Sequence, residues 1–320
     1  MERNDLDGRL EAAQAAVLDR LAHGTRARRV RWSRGETRVL ELGDGPPLVL
    51  VHGFMDNAAL WAPILGPLAA RHRVIAVDLP GHGLADPFDY ADADLQDVAR
   101  TFLREVLDAL ELESAALVGS SLGGFVCTVF TLDAPTRVTS LVLVGAPVGV
   151  TREVPAPLFV IGLLAGLPGG RGIARRLLST PTRESLRKLM GQIAVAHPER
   201  LDDGMLDADV LGQERNRESY VGMLRYLGGA RGLMPLVGRL VLGERWDDVA
   251  APTLLLRGER DRFVTSRVEA AYRGIAARNP NVRIVPVEDA GHLLWLDAPD
   301  AVVREIEGFL EDVPAGAAVA

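Results

Sequence analysis

The chain has 320 residues, 48% of them hydrophobic and 25% charged, which suits one large folded domain with an insertion and excludes global disorder. Its formal net charge of −7 argues against a general nucleic-acid binder, which needs a basic face. The single cysteine, Cys127, cannot form an intrachain disulfide, so nothing calls for an oxidising compartment. The mostly charged start, Met1 to Arg20, has no apolar core of a secretory signal, and no run of roughly 18 apolar residues is present; a cytoplasmic protein without a spanning helix is the expectation.

In chain order, residues 9–23 carry an apolar stripe at helical spacing and read as an N-terminal helical appendage. Arg28–Trp32 and Thr37–Leu42 read as two short strands joined at Arg34-Gly35-Glu36, and the basic cluster Arg26, Arg28, Arg29, Arg31 and Arg34 as a solvated face. The apolar run 48–51 has the look of a strand buried on both faces. A helix over Ala58–Ala70, a strand at Val74–Val77, a helix over Leu95–Leu110, a strand at Ala115–Val118, a helix over Leu122–Leu132 and a strand at Val138–Val144 follow in alternation. Such alternation predicts a mostly parallel sheet clad in helices. From 147 to 235 the rhythm is lost, with helical stretches and no convincing strand, and then it resumes: a strand at Thr253–Leu256, a helix over Arg267–Ala277, a strand at Val282–Val287 and a helix over Ala301–Leu310. The predicted organisation is therefore an appendage and first strand (1–35), an α/β core (36–146 and 236–312), an inserted helical segment (147–235) and a frayed tail (313–320).

The chemistry concentrates between a strand and a helix. Gly119-Ser120-Ser121-Leu122-Gly123-Gly124 fits G-x-S-x-G in the strand–turn–helix context this motif needs. A sharp turn there exposes the Ser121 hydroxyl, Gly119 and Gly123 avoid collisions around it, and the helix N-terminus favours developing negative charge. A serine needs a base. Of six histidines, His292 stands just beyond the strand Val282–Val287, where open α/β sheets gather reactive groups. Asp261, just beyond Thr253–Leu256, is the candidate third member, with Glu259 and Asp289 as fallback acids. The backbone N–H of Phe54, after Val51-His52-Gly53, and that of Leu122 are the candidate oxyanion donors. His52 reads as a structural loop residue and Cys127 as core packing.

Together His52-Gly53-Phe54, Asp78-Leu79-Pro80-Gly81-His82-Gly83, the Ser121 motif, Gly258-Glu259-Arg260-Asp261 and Gly291-His292 resemble the α/β-hydrolase fold superfamily, in its order and roughly its spacing. The resemblance spans about 36–146 and 236–312 and implies an eight-stranded, mostly parallel sheet with a cofactor-free site, no metal, and a cap over it. It implies a serine esterase or lipase-like hydrolase acting on a small-molecule ester with a hydrophobic part. Branches of the family with an aspartate or cysteine nucleophile do not match Ser121. C–C bond hydrolases of ring-cleavage products typically place a tryptophan after the histidine, where this chain has Leu293; Trp295 reads as packing against the last helix. Peracid-forming, haloperoxidase-like members share the triad and stay open, as does a non-catalytic ligand-binding member. In the insertion, Leu158, Phe159, Val160, Ile161, Leu163, Leu164 and Leu167 suit either an acyl chain or burial of the cap. Arg175, Arg176, Arg183, Arg187 and Lys188 read as solvated. Oligomeric state is not legible.

Overall fold

A computed structural model describes residues 3–91, 93–151, 163–167, 169–178, 180–228, 230–231, 234–235 and 240–313. Helix α1 (Arg3–Leu21) leads into the hairpin β1 (Arg26–Trp32) and β2 (Gly35–Leu42). Then come β3 (Pro47–Val51), α2 (Ala62–Ala69), β4 (Arg73–Val77), α3 (Leu95–Ala109), β5 (Ala115–Ser120), α4 (Leu122–Asp133) and β6 (Val138–Val144). After helices α5 (Gly170–Leu177), α6 (Arg183–Ile193) and α7 (Asp203–Gly228) and the short pair β7 (Ala230–Arg231) and β8 (Met234–Pro235), the core resumes. It closes with β9 (Thr253–Gly258), α8 (Ser266–Arg278), β10 (Val282–Val287), α9 (Leu294–Asp297) and α10 (Pro299–Asp312).

Eight strands form one sheet in the order β1-β2-β4-β3-β5-β6-β9-β10. Only the pairings of β2 with β1 and with β4 are antiparallel; the rest are parallel. The fold is thus the mostly parallel, helix-flanked sheet that the alternation implied. Side chains alternate across each strand, so Val49 and Val51 join one apolar layer with Phe102, Phe125 and Phe130. Leu48 and Leu50 join the other, with Val17, Trp61, Ile306 and Phe309. Covering both faces is what makes these strands read as unbroken apolar runs.

Some elements differ from expectation. The helix expected over 58–70 starts as a 3₁₀ turn, Ala58–Trp61, and becomes α-helical only at Ala62. Pro63 explains the break, because a residue without an N–H belongs in a helix's first turn. The insertion does contain paired backbone, β7 with β8, two residues each and too short for any periodicity to reveal. Helix α1 lies along α7 with Leu10 and Gln14 fully buried. Arg215 of α7 ties it down, donating to Asp7 at 2.5 Å and to the carbonyls of Gly83 and Ala85 at 2.9 Å. Two basic residues of the insertion pair with its own acids, Arg175 with Glu218 and Arg183 with Asp203 and Asp207. Leu158, Phe159, Val160 and Ile161, like the tail from Pro314, lie outside the described residues. No described helix is long and apolar enough to cross a membrane.

Candidate active site

Strand β5 ends at Ser120 and α4 begins at Leu122, which leaves Ser121 alone on the turn between them. Its φ of 49° and ψ of −115° are a strained combination for a residue with a side chain. The surroundings hold it there. The Ser121 N–H donates to Gly145 O at 3.1 Å, and Ser121 O accepts the Phe125 N–H at 3.3 Å. The flanking glycines let α4 press against the sheet. A Cβ at Gly119 would meet Gly123 O at 2.6 Å, and one at Gly123 would meet Val51 O at 2.1 Å. The expected crowding at both positions is therefore physical contact between backbones.

His292 and Asp261 come together from two loops. Nδ1 of His292 lies 2.9 Å from Oδ2 of Asp261, and both residues are 6% exposed. Because an ionised carboxylate only accepts, Nδ1 carries the proton of this bond and Nε2 keeps its lone pair. The other Asp261 oxygen accepts the Phe263 N–H at 2.8 Å, and the Phe263 ring lies 4.3 Å from the imidazole. Burial alone lowers the proton affinity of His292. Asp261, through charge and hydrogen bond, and Asp56, through charge, outweigh it and leave the imidazole above its ordinary 6.5. The fallback acids are elsewhere: Glu259 is exposed, and Asp289 pairs with His197 at 2.7 Å and Arg260 at 2.7 Å. Gly145, which binds the Ser121 N–H, also backs onto the His292 carbonyl, where a Cβ would come within 2.3 Å. Ser121 and the His292 loop thus share one backbone neighbour.

On the other side, β3 ends in His52, Gly53 and Phe54. His52 is fully buried, and burial keeps it neutral against the pull of Asp78. Its Nδ1 donates to Gly53 O at 2.8 Å and its Nε2 accepts the Leu79 N–H at 3.0 Å, so both ring nitrogens hold loops and neither is free for chemistry. Asp78 itself is buried against Arg38 at 3.2 Å and accepts N–H bonds from Ala58 and Leu84 at 2.8 and 2.9 Å. Burial raises its proton affinity, but Arg38, His52 and those N–H groups outweigh it and keep it ionised. The Phe54 N–H has no partner among the described residues, and the Leu122 N–H, first in α4, has none within the helix. Cys127 is buried within α4, and burial pushes its thiol far above the ordinary range.

The alpha/beta hydrolase family model matches residues 48–305, most of the chain. The chain belongs to the alpha/beta hydrolase family. Relatives of this hydrolase include a 2-hydroxy-6-oxononadienedioate/2-hydroxy-6-oxononatrienedioate hydrolase of Pseudomonas putida, 30% identical over 280 residues, 85% of this chain and 90% of the relative. An uncharacterised protein of Mycobacterium tuberculosis is 31% identical over 278 residues, 84% of this chain and 76% of that one. Among solved structures, the carboxylesterase CesB of Bacillus subtilis has the same fold (TM-score 0.71, 22% identity, 96% and 98% of the two chains). So does the meta-cleavage product hydrolase CumD of Pseudomonas fluorescens IP01 (TM-score 0.71, 22% identity, 90% and 98%).

Sequence reasoning missed three acids of this hydrolase. Asp297 is buried and accepts the N–H groups of Ala196, His197 and Gly291 at 2.8 to 3.0 Å, stitching the insertion to the His292 loop. Its sequence, Leu-Asp-Ala-Pro, reads as an ordinary helix boundary. Asp56 follows Phe54 by two residues, and Asp209 faces it from α7. No motif marks either one. Trp295 stacks on Trp61 with ring centroids 4.0 Å apart and donates to Leu60 O at 2.8 Å, in the same apolar layer as α10.

Proposed function

We propose that this enzyme is a serine hydrolase that cleaves carboxylic esters through an acyl-enzyme on Ser121. The observation that carries the reading is the strained backbone of Ser121, on a turn that shares Gly145 with the loop of His292, whose Nδ1 is held by Asp261 at 2.9 Å. His292 Nε2 takes the hydroxyl proton as Ser121 Oγ attacks the carbonyl carbon. The N–H groups of Phe54 and Leu122 hold the oxyanion, with the α4 N-terminus behind them. The imidazolium then protonates the departing alcohol, and a water deprotonated by His292 releases the acid. Residues 147–235 serve as the cap over this site, and their apolar side chains favour a hydrophobic acyl or alcohol group. The fold needs no disulfide, in keeping with a place in the cytoplasm.

A second reading has a specific observation behind it. For C–C bond hydrolysis of a ring-cleavage product, it is that the Pseudomonas putida relative is named a 2-hydroxy-6-oxononadienedioate/2-hydroxy-6-oxononatrienedioate hydrolase. One feature of this chain favours esters instead: Leu293 follows the histidine, where C–C bond hydrolases of ring-cleavage products typically place a tryptophan. A panel of p-nitrophenyl esters of increasing acyl length, run beside a ring-cleavage dienoate, separates the two. Fast ester turnover that Ser121→Ala abolishes supports the ester reading, and fast bleaching of the dienoate with slow ester turnover refutes it.

A further inference from the structure

The loop that presents the Phe54 N–H closes on itself. Gly53 O accepts the Asp56 N–H at 3.4 Å, and Asp56 Oδ2 accepts the Gly53 N–H at 3.1 Å. Met55, third in this four-residue turn, has a φ of 66°, a left-handed conformation that favours glycine. A methionine holds it because the bonds on either side fix the turn, with His52 Nδ1 adding a second donor to Gly53 O at 2.8 Å.

Asp56 also faces the reacting groups. A Cβ on Gly53 would lie 2.7 Å from Asp56 Oδ2 and 3.1 Å from Ser121 Cβ, so the carboxyl stands on the nucleophile's side of the turn, with only a missing methyl group between them. Titratable groups bear on it from two further elements: His292 from the loop after β10, and Asp209 and Tyr220 from α7. Tyr220 packs edge-on against Phe54 with centroids 5.6 Å apart, and Asp209 is held by Gln213 at 3.2 Å. His292 for its part faces Asp261, Asp56 and the Phe263 ring. Among the described residues the Asp56 carboxyl accepts only the Gly53 N–H. Burial raises it to about 7, against His292 and that N–H. Burial, then repulsion from Asp56, raises Asp209 to about 8.

We propose that Asp56 is a positioning residue for the hydrolytic reaction: it holds the turn that aims the Phe54 N–H, and its carboxylate, on the nucleophile's side of that turn, adds to Asp261 in steadying the imidazolium of His292. Asp261 orients the ring through Nδ1, whereas Asp56 acts on it without a direct bond. An ionised Asp56 steadies the imidazolium that forms as Ser121 attacks, and it also keeps more of the free enzyme's His292 protonated near neutral pH. Protons then bind the pair anti-cooperatively: protonating Asp56 removes the negative charge that favours the imidazolium, and protonating His292 adds a positive charge that favours the carboxylate. The catalytic part of this inference rests on the roles proposed above for Ser121 and His292.

The test pairs one variant with one measurement on the unaltered enzyme. Asp56→Asn keeps an oxygen for the Gly53 N–H and removes the charge. It should retain labelling of Ser121 by a fluorophosphonate and leave KM for p-nitrophenyl butyrate unchanged. The acid limb of kcat/KM should move to lower pH by about one unit. A variant with reduced kcat and an unmoved acid limb would show a merely structural Asp56 and overturn the proposal. If the variant does not fold, the His292 ring of the wild-type enzyme decides, followed by ¹⁵N NMR against pH. A broadened, two-step titration supports coupling to Asp56, and a single ideal step overturns it. Because the NMR readout needs no substrate, a two-step titration in an enzyme inert to esters would sink the ester reading alone.

Discussion

Replacing Gly123 with alanine tests how the backbone builds the site. The added methyl would sit 2.1 Å from Val51 O and 2.4 Å from His52 O, where real Cβ atoms keep at least 3.0 Å. Relief therefore requires α4 and the end of β3 to part by roughly 1 Å, since both contacts are main-chain atoms that no rotamer change can move. The two donors proposed for the oxyanion lie on the two sides of this gap, Leu122 on α4 and Phe54 beyond β3. A displacement of that size costs about 10²-fold in rate, and the overpacking about 1–3 kcal/mol in stability. Thermal unfolding by circular dichroism reads the second effect, and kcat with p-nitrophenyl butyrate reads the first. An alanine variant with wild-type Tm and kcat would refute the claim that this contact sets the donor spacing.

Other perturbations separate the roles of the remaining polar groups. Asp261→Asn should lower kcat by on the order of 10³–10⁴-fold, because the imidazole loses the acceptor that fixes its tautomer; steady-state ester kinetics check this. In the wild type, kcat/KM should fall as pH drops through the proton affinity of His292, which lies above 6.5, since only the neutral ring is a base; a pH–rate profile flat down to pH 5 would contradict it. Arg38→Met should destabilise the fold by about 3–5 kcal/mol in urea unfolding, because it strands the fully buried Asp78 carboxylate. Asp209 is raised by burial from 3.8 to about 8, so between those values the native state holds a proton that the unfolded chain has lost, and stability declines as pH rises. Asp209→Asn removes that slope and should stabilise at pH 9 by on the order of 5 kcal/mol, with little effect at pH 4.

The legible parts of this hydrolase are those that follow from short-range rules. Continuous apolar runs at 48–51, 115–118 and 253–256 exposed a sheet buried on both sides, because alternate residues such as Leu48 and Val49 feed opposite layers. The glycines around Ser121 announced a strand-to-helix turn, since only a residue without a side chain tolerates contacts such as Gly119 with Gly123 O. What escaped the sequence depends on distant partners. Asp56 acquires its character from burial, and Asp209 from burial and from Asp56, 153 positions away; neither cause leaves a local pattern. Asp297 binds N–H groups 100 residues upstream. Helix α1 looked peripheral because its stripe is ordinary, yet its Gln14 reaches Asn57 at 2.9 Å, next to Asp56. The insertion stayed hardest to read, since ion pairs such as Arg183 with Asp203, and Arg215 reaching Asp7 of α1, leave no periodic pattern in the sequence.

The central claim is that Ser121 is an activated nucleophile. The most direct measurement treats the folded enzyme with a fluorophosphonate and locates the adduct by peptide mass spectrometry. The account predicts one adduct, on Ser121, abolished in Ser121→Ala and strongly slowed in His292→Ala while both variants keep the wild-type circular dichroism spectrum. An unlabelled Ser121 in folded protein, or an adduct on another residue, would contradict it.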